Sequence, residues 1–237
     1  MDIHTKYMKR CIELATRGIR NTYPNPMVGC IIVHNNIIIG EGYHEAYGSS
    51  HAEVNAINSV INQDLLSKST LYVNLEPCNH FGKTPPCTNL IIDKGIKNVI
   101  IGSRDPNSLV KGGGINTLIS SGCNVEHGIM KDKCDELNKR FFTFHNQRRP
   151  YVILKWAESN DGFISPRKSD RNEQKIFWIS NEQSKKMSHY FRSQEHSILV
   201  GVQTVIDDDP ELTTRLVDGK NPISCLLYTS DAADESV

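Results

Sequence analysis

The sequence predicts an α/β protein in two parts. Three observations carry that expectation. Short β-branched runs alternate with segments of helical period through the first 147 residues, Arg148-Arg149-Pro150 interrupts the alternation, and a new strand and helix pattern follows. The 237 residues suffice for two small domains, and an apolar content of 38% allows packed cores under a strongly polar surface.

Residues 5–18 place Met8, Cys11, Ile12 and Ala15 on one side of a helix, with Gly18 near its end. Asn21 to Pro26 is a loop dense in Asn and Pro. Val28 to Val33 and Ile37 to Gly42 are apolar strands separated by His34-Asn35-Asn36, a hairpin signal. His51 to Val60 reads as a helix, Leu71 to Leu75 as a strand, Thr88 to Lys94 as a helix closed by Gly95, and Val99 to Gly102 as a buried strand. A helix over 115–121 closed by Gly122 and a strand around Val125 follow. Lys131 to His145 is one amphipathic helix carrying Cys134, Leu137, Phe141 and Phe144 inward. Such alternation predicts helices layered on a largely parallel sheet. Past Pro150, Tyr151 to Trp156 and Ser197 to Val202 read as strands, Ser165 to Lys175 as a polar loop and Asn181 to Arg192 as a helix.

Bulk properties exclude several classes. With 27 acidic and 27 basic side chains the net charge is zero, so the composition shows no overall basic excess to recruit nucleic acid by counterion release, which weighs against a polynucleotide substrate without excluding a local basic patch. Met1-Asp2-Ile3-His4-Thr5-Lys6 lacks the apolar run of a signal peptide, and no segment has the length and apolarity of a membrane span. Seven irregularly spaced Cys fit metal ligands and buried thiols better than a disulfide framework, which makes the cytoplasm the expected location.

The chemistry concentrates in His51-Ala52-Glu53, in Pro77-Cys78 and in Cys87. One imidazole and two thiolates form a zinc first shell that leaves a position open for water, whereas a structural zinc normally takes four protein ligands. Thiolate is required because a neutral thiol binds zinc poorly. Glu53, two residues from the imidazole, is placed to take a proton from water and later to hand one proton to a ring nitrogen and another to departing ammonia. Together these residues describe a hydrolytic deaminase of a nitrogen heterocycle. A His-x-Glu triplet by itself is weak, and two Cys by themselves are ordinary buried thiols. Their joint occurrence in strand–loop–helix context carries the reading.

His51-Ala52-Glu53 with Pro77-Cys78 resembles the cytidine deaminase-like superfamily. Thr22-Tyr23-Pro24-Asn25-Pro26-Met27-Val28-Gly29-Cys30, Gly40-Glu41-Gly42-Tyr43-His44 and Glu76 to Cys87 resemble one family within it, the bifunctional pyrimidine deaminase–reductase of riboflavin biosynthesis, RibD. The eight residues between Cys78 and Cys87 separate it from nucleoside and tRNA deaminases, which carry Pro-Cys-x-x-Cys and stand as the alternative reading. The resemblance, from about residue 5 to about 223, implies a three-layer αβα cytidine deaminase-like domain over 1–147. It also implies a partial dihydrofolate reductase-like α/β domain over 150–223. The implied substrate is 2,5-diamino-6-(5-phosphoribosylamino)pyrimidin-4-one, deaminated to the corresponding uracil, with Asn25, His44, His80 and Lys83 as its contacts. An RNA-editing module on the same scaffold and a non-catalytic structural zinc protein are the rivals from other classes.

In the second part, Tyr151 to Gly162, Trp178-Ile179-Ser180, Arg192, Thr204 to Pro210, Leu212-Thr213 and Arg215 resemble the family's reductase domain. The resemblance implies NADPH at Trp178, Thr204 and Asp208, and the phosphoribosyl substrate at Arg192, Leu212 and Arg215. Glu158 and Asn160 depart from the family pattern before Asp161-Gly162. Residues 224–237, small and acidic past Tyr228, read as a non-native tail on a truncated chain whose reductase half is expected to be inactive. The family implies a homo-oligomer.

Overall fold

The computed structural model describes residues 2–81, 85–107, 113–166 and 178–227. The chain divides into two compact units, Met1–Val152 and Ile153–Val237.

The first unit runs α1 (Ile3–Thr16), β1 (Gly29–His34), β2 (Ile37–Tyr43), α2 (Ala52–Asn58), β3 (Thr70–Leu75), α3 (Cys87–Asp93) and β4 (Asn98–Ser103). It continues with α4 (Gly113–Ser120), β5 (Asn124–His127), α5 (Lys131–Leu137) and α6 (Lys139–Gln147). A 3-10 turn over Gln63–Lys68 leads into β3. The five strands form one sheet in the order β2-β1-β3-β4-β5.

Both faces of this sheet are covered, which is why its central strands are apolar throughout rather than alternating. Cys30, Ile32, Leu71, Val73, Val99 and Ile101 pack on one side against α2, α3 and α4. Ile31, Val33, Tyr72 and Ile100 point the other way, against Tyr7, Met8, Cys11 and Leu14 of α1 and Cys134 of α5. Helices therefore sandwich the sheet, as the three-layer expectation required. Arg10 ties α1 to the edge strand with a two-pronged contact to Glu41, both arms 2.8 Å.

Three expectations need correction. The sheet is mixed rather than largely parallel: β1 runs antiparallel to both β2 and β3, while β3–β4 and β4–β5 are parallel. Asn35 and Asn36, at φ 47 and 64, close a two-residue hairpin that reverses the chain, so β2 and β3 become parallel strands with β1 between them. The helix expected over Lys131 to His145 is two helices, broken at Asn138, and Phe144 is 52% exposed rather than inward. Tyr151 to Trp156 is not a strand among the described residues. A strand requires a ladder partner, and Leu154 and Trp156 stand in solvent.

The second unit holds α7 (Glu182–Gln194), β6 (Ser197–Gly201), α8 (Val202–Asp208) and β7 (Ile223–Leu227). Asn181 caps α7, its side-chain oxygen accepting from the Ser184 N–H at 2.9 Å. β6 and β7 pair in parallel across the α8 crossover. Residues 224–227 thus lie in β7, while the rest of the expected tail and most of the expected 165–175 loop lie outside the described residues. No helix among the described residues is long and apolar enough to cross a membrane.

The seating of α2 depends on Gly42. A Cβ there would meet the Ala56 nitrogen at 2.3 Å and the Ala52 oxygen at 2.7 Å, both rigid helix backbone. Gly42→Ala is therefore expected to cost about 1–3 kcal/mol by forcing α2 off the sheet. Urea unfolding measures this, and an unchanged midpoint would show that α2 has room to shift.

Candidate metal and deaminase site

The site assembles where β3 ends, where α2 begins and where α3 begins. His51 is the residue before α2, extended at φ −70, ψ 160, so its ring leaves the helix axis while Glu53 follows in the first turn. Leu75 ends β3 and the chain passes through Glu76-Pro77 to Cys78. Cys87 is the first residue of α3. The α3 start is bound to the Cys78 loop by two contacts: Thr88 N–H donates to the Cys78 carbonyl at 3.1 Å, and Cys87 N–H to the Cys78 sulfur at 3.4 Å.

His51 Nδ1 lies 3.2 Å from the Cys87 sulfur and 3.5 Å from the Cys78 sulfur. All three donor atoms fall within 4.8 Å of one another. Zinc bonds of about 2.0–2.3 Å place tetrahedral donors roughly 3.3–3.8 Å apart, so the spacing fits that ion. Donor type agrees, since imidazole with two thiolates is a zinc set. Among the described residues the cluster has three donors, the number of a catalytic rather than a structural zinc.

Electrostatics favour the same use. The sulfurs titrate as a pair: Cys78 is held as the thiolate, first by the Cys87 thiol and then by His51, and Cys87 is pushed up in turn. His51 is raised, chiefly by its contact with Cys78. Glu53 is 4% exposed, and burial first, then the Cys78 charge, pushes its carboxyl above the usual range. A carboxyl so placed is suited to picking up and returning a proton.

A cavity of about 300 Å³ opens over this cluster. Three of the nominated substrate residues, Asn25, His44 and His80, stand in its wall. Asn25 Nδ2 lies 3.2 Å from His44 Nε2, and His44 Nδ1 lies 3.1 Å from the Ser50 carbonyl. A hydrogen on Nδ1, donated to that carbonyl, leaves Nε2 free to accept from Asn25. Burial lowers the His44 pKa, consistent with the neutral ring this pattern needs. His80 is exposed at the rim, and Lys83 lies outside the described residues.

The wall also holds Asp105 and Asn107, which the sequence did not single out, and Phe141, expected only as an inward-facing residue of its helix. Asp105 and Asn107 follow the end of β4, as Cys78 follows β3. A polar cluster just past the C-terminal end of a sheet strand is the signal that would have found them. Burial holds the Asp105 carboxyl at about 6, against the lowering effect of the Asn107 amide. Glu76 braces this edge, one oxygen accepting from the Asp105 N–H at 3.2 Å and the other from the Ile115 N–H at 3.1 Å, in the first turn of α4.

In the second unit, Arg192, Leu212 and Arg215 gather around one segment. Arg192 donates to the Thr213 carbonyl at 3.0 Å, and Arg215 N–H to His189 Nδ1 at 3.1 Å. Leu212, just before Thr213, takes φ 55. Trp178 lies under the Lys185 ammonium, 3.7 Å from its ring centre. Thr204 is exposed and Asp208 half-buried, both on α8.

A covered mixed sheet with a His/Cys/Cys donor set at its strand ends and a buried glutamate beside it defines a zinc-binding domain of the cytidine deaminase-like class. Residues 1–103 match the cytidine and deoxycytidylate deaminase zinc-binding region, and residues 150–235 match the RibD C-terminal domain. A diaminohydroxyphosphoribosylamino-pyrimidine deaminase of Buchnera aphidicola (Schizaphis graminum) is 52% identical over 136 residues, which cover 57% of this chain and 91% of that protein. The riboflavin biosynthesis protein RibD of Actinobacillus pleuropneumoniae is 46% identical over 92% of this chain and 56% of its own length. A solved deaminase/5-amino-6-(5-phosphoribosylamino)uracil reductase from Thermotoga maritima superposes with a TM-score of 0.86 at 40% identity, over 99% of this chain and 66% of that one. The chain belongs to the RibD family of riboflavin biosynthesis. It spans about 56–62% of the length of the first RibD relatives it matches.

Proposed function

We propose that the first unit is a zinc-dependent hydrolytic deaminase that converts 2,5-diamino-6-(5-phosphoribosylamino)pyrimidin-4-one to 5-amino-6-(5-phosphoribosylamino)uracil. The observation that carries the reading is the donor cluster with buried Glu53 beneath a cavity whose wall holds Asn25 and His44. That arrangement sits in a chain 52% identical to a deaminase named for this substrate. His51, Cys78 and Cys87 would hold the zinc ion, which when bound supplies the Lewis acidity that lets water lose a proton near neutral pH. Glu53 takes that proton on its carboxylate and passes it to the ring nitrogen next to the reacting carbon; it then takes the proton of the hydroxyl added at that carbon and delivers it to the amine, which leaves as ammonia as the C–N bond breaks and the carbonyl forms. Asn25, oriented through His44, hydrogen-bonds the ring or sugar. His80 and Lys83 at the mouth neutralise the ribose phosphate.

For the second unit the match to the RibD C-terminal domain supports a reductase-type role, with NADPH at Trp178, Thr204 and Asp208. The same match supports Arg192, Leu212 and Arg215 as contacts of a phosphoribosyl group, since a guanidinium fork suits phosphate. Family membership also supports a cytoplasmic homo-oligomer.

The test is ammonia release from the phosphoribosylated diaminopyrimidine, with and without a chelator, beside cytidine and adenosine. Zinc-dependent release from the diaminopyrimidine alone is expected. Turnover of cytidine or adenosine in its place would transfer the protein to a nucleoside deaminase class.

A further inference from the structure

We infer that Asn138 is a positioning residue of the deaminase cavity, acting through the backbone of Met27. The inference rests on the deaminase reading. Asn138 is buried, 3% exposed, at the break between α5 and α6. Its side-chain oxygen accepts from the Met27 N–H at 2.8 Å, and its side-chain nitrogen donates to the Met27 carbonyl at 2.9 Å. One amide therefore satisfies both polar groups of a single residue 111 positions away.

A second amide completes the hold. Asn74 in β3, fully buried, donates to the same Met27 carbonyl at 3.1 Å and accepts from Gly29 N–H at 2.8 Å. Met27 lies between Asn25, which faces His44 in the cavity wall, and the start of β1. Pro24 and Pro26 flank Asn25 and restrict the backbone on both sides of it, so a shift at Met27 is transmitted to Asn25 rather than absorbed. The same Asn138 sits three residues before Phe141, which enters the cavity wall from α6. α6 has no buried residue, so apolar packing contributes little to its placement and the hinge at Asn138 matters more. Asn138 thus sets two sides of the cavity, Asn25 and Phe141, without touching its contents.

The experiment compares wild type with Asn138→Asp and Asn138→Ala. Asn138→Asp keeps the shape and the acceptor for Met27 N–H but loses the donor to its carbonyl, whereas Asn138→Ala removes both. Three readouts are taken: zinc content, hydrogen exchange of peptides spanning 24–29, and KM and kcat for ammonia release. Zinc content is expected to stay at the wild-type level. Exchange at 24–29 is expected to rise while β3 and β4 stay protected. KM is expected to rise on the order of 10- to 100-fold, more in Asn138→Ala, with a smaller change in kcat. Unchanged exchange at 24–29 overturns the clamp. Raised exchange with unchanged KM shows a structural role only and overturns the positioning. Loss of zinc or of protection throughout the sheet means general unfolding and also counts against it. Wild-type protein that releases no ammonia overturns the deaminase reading instead, and the exchange result still decides the clamp.

Discussion

Glu53→Gln is expected to lower ammonia release by a factor of about 10²–10⁴ while the zinc content stays at the wild-type level. The carboxyl lies in the first turn of α2 and is buried to 4% exposure, beside the donor cluster but outside the set of three ligand atoms. Removing its ability to exchange a proton therefore removes a chemical step and leaves the metal's own contacts in place. The fold should tolerate the change. Burial already disfavours the charged carboxylate, so a neutral amide of the same shape meets no new desolvation cost. The measurements are single-turnover ammonia release, metal content and the unfolding midpoint on one preparation. Activity within tenfold of wild type would remove Glu53 from the proton-transfer role. Loss of metal would make it a ligand or a prop for one.

The parts of the molecule visible in the sequence are those whose signal is local. His51, Glu53, Cys78 and Cys87 could be read because zinc ligation and proton transfer demand rare residue types at short spacing. Their order along the chain also matches a helix start, a strand end and a second helix start. Strands β1, β3 and β4 were legible because both their faces are buried and their runs are largely apolar. What stayed hidden depends on distant partners. The Leu137–Phe141 spacing continues a helical period straight through Asn138, so periodicity alone cannot show a break at a side chain bonded to a backbone 111 positions away. Tyr151, Val152, Ile153 and Trp156 have strand propensity, but Tyr151 to Trp156 has no ladder partner among the described residues, and propensity is decided by pairing. Asp105 and Asn107 reach the cavity because β4 lies beside β3, a fact of sheet order rather than of local sequence. The antiparallel half of the sheet was available in principle, since Asn35-Asn36 is a two-residue hairpin. The alternation of helices with strands outweighed it.

Cys78→Ala is expected to abolish stoichiometric zinc binding and to reduce ammonia release by at least about 100-fold, with the α/β fold retained. Retention follows from where the cores lie. The two apolar clusters that flank the sheet are built from α1, α2, α3, α4, α5 and the strands, and neither Cys78 nor His51 belongs to them. The metal would therefore sit past the end of the central strand β3, on a scaffold that already has its own cores. A structural zinc makes the opposite demand, because there metal binding and folding are one equilibrium. Zinc bound to the native state still stabilises it by mass action, so the variant should melt lower than the zinc-loaded protein but in a cooperative transition. Far-ultraviolet circular dichroism, metal analysis and thermal melting of Cys78→Ala, beside chelator-treated wild type, separate the cases. Collapse of the helical signal on metal loss would mean that the cluster holds the domain together, and the three-donor site would have to be reassigned from chemistry to structure.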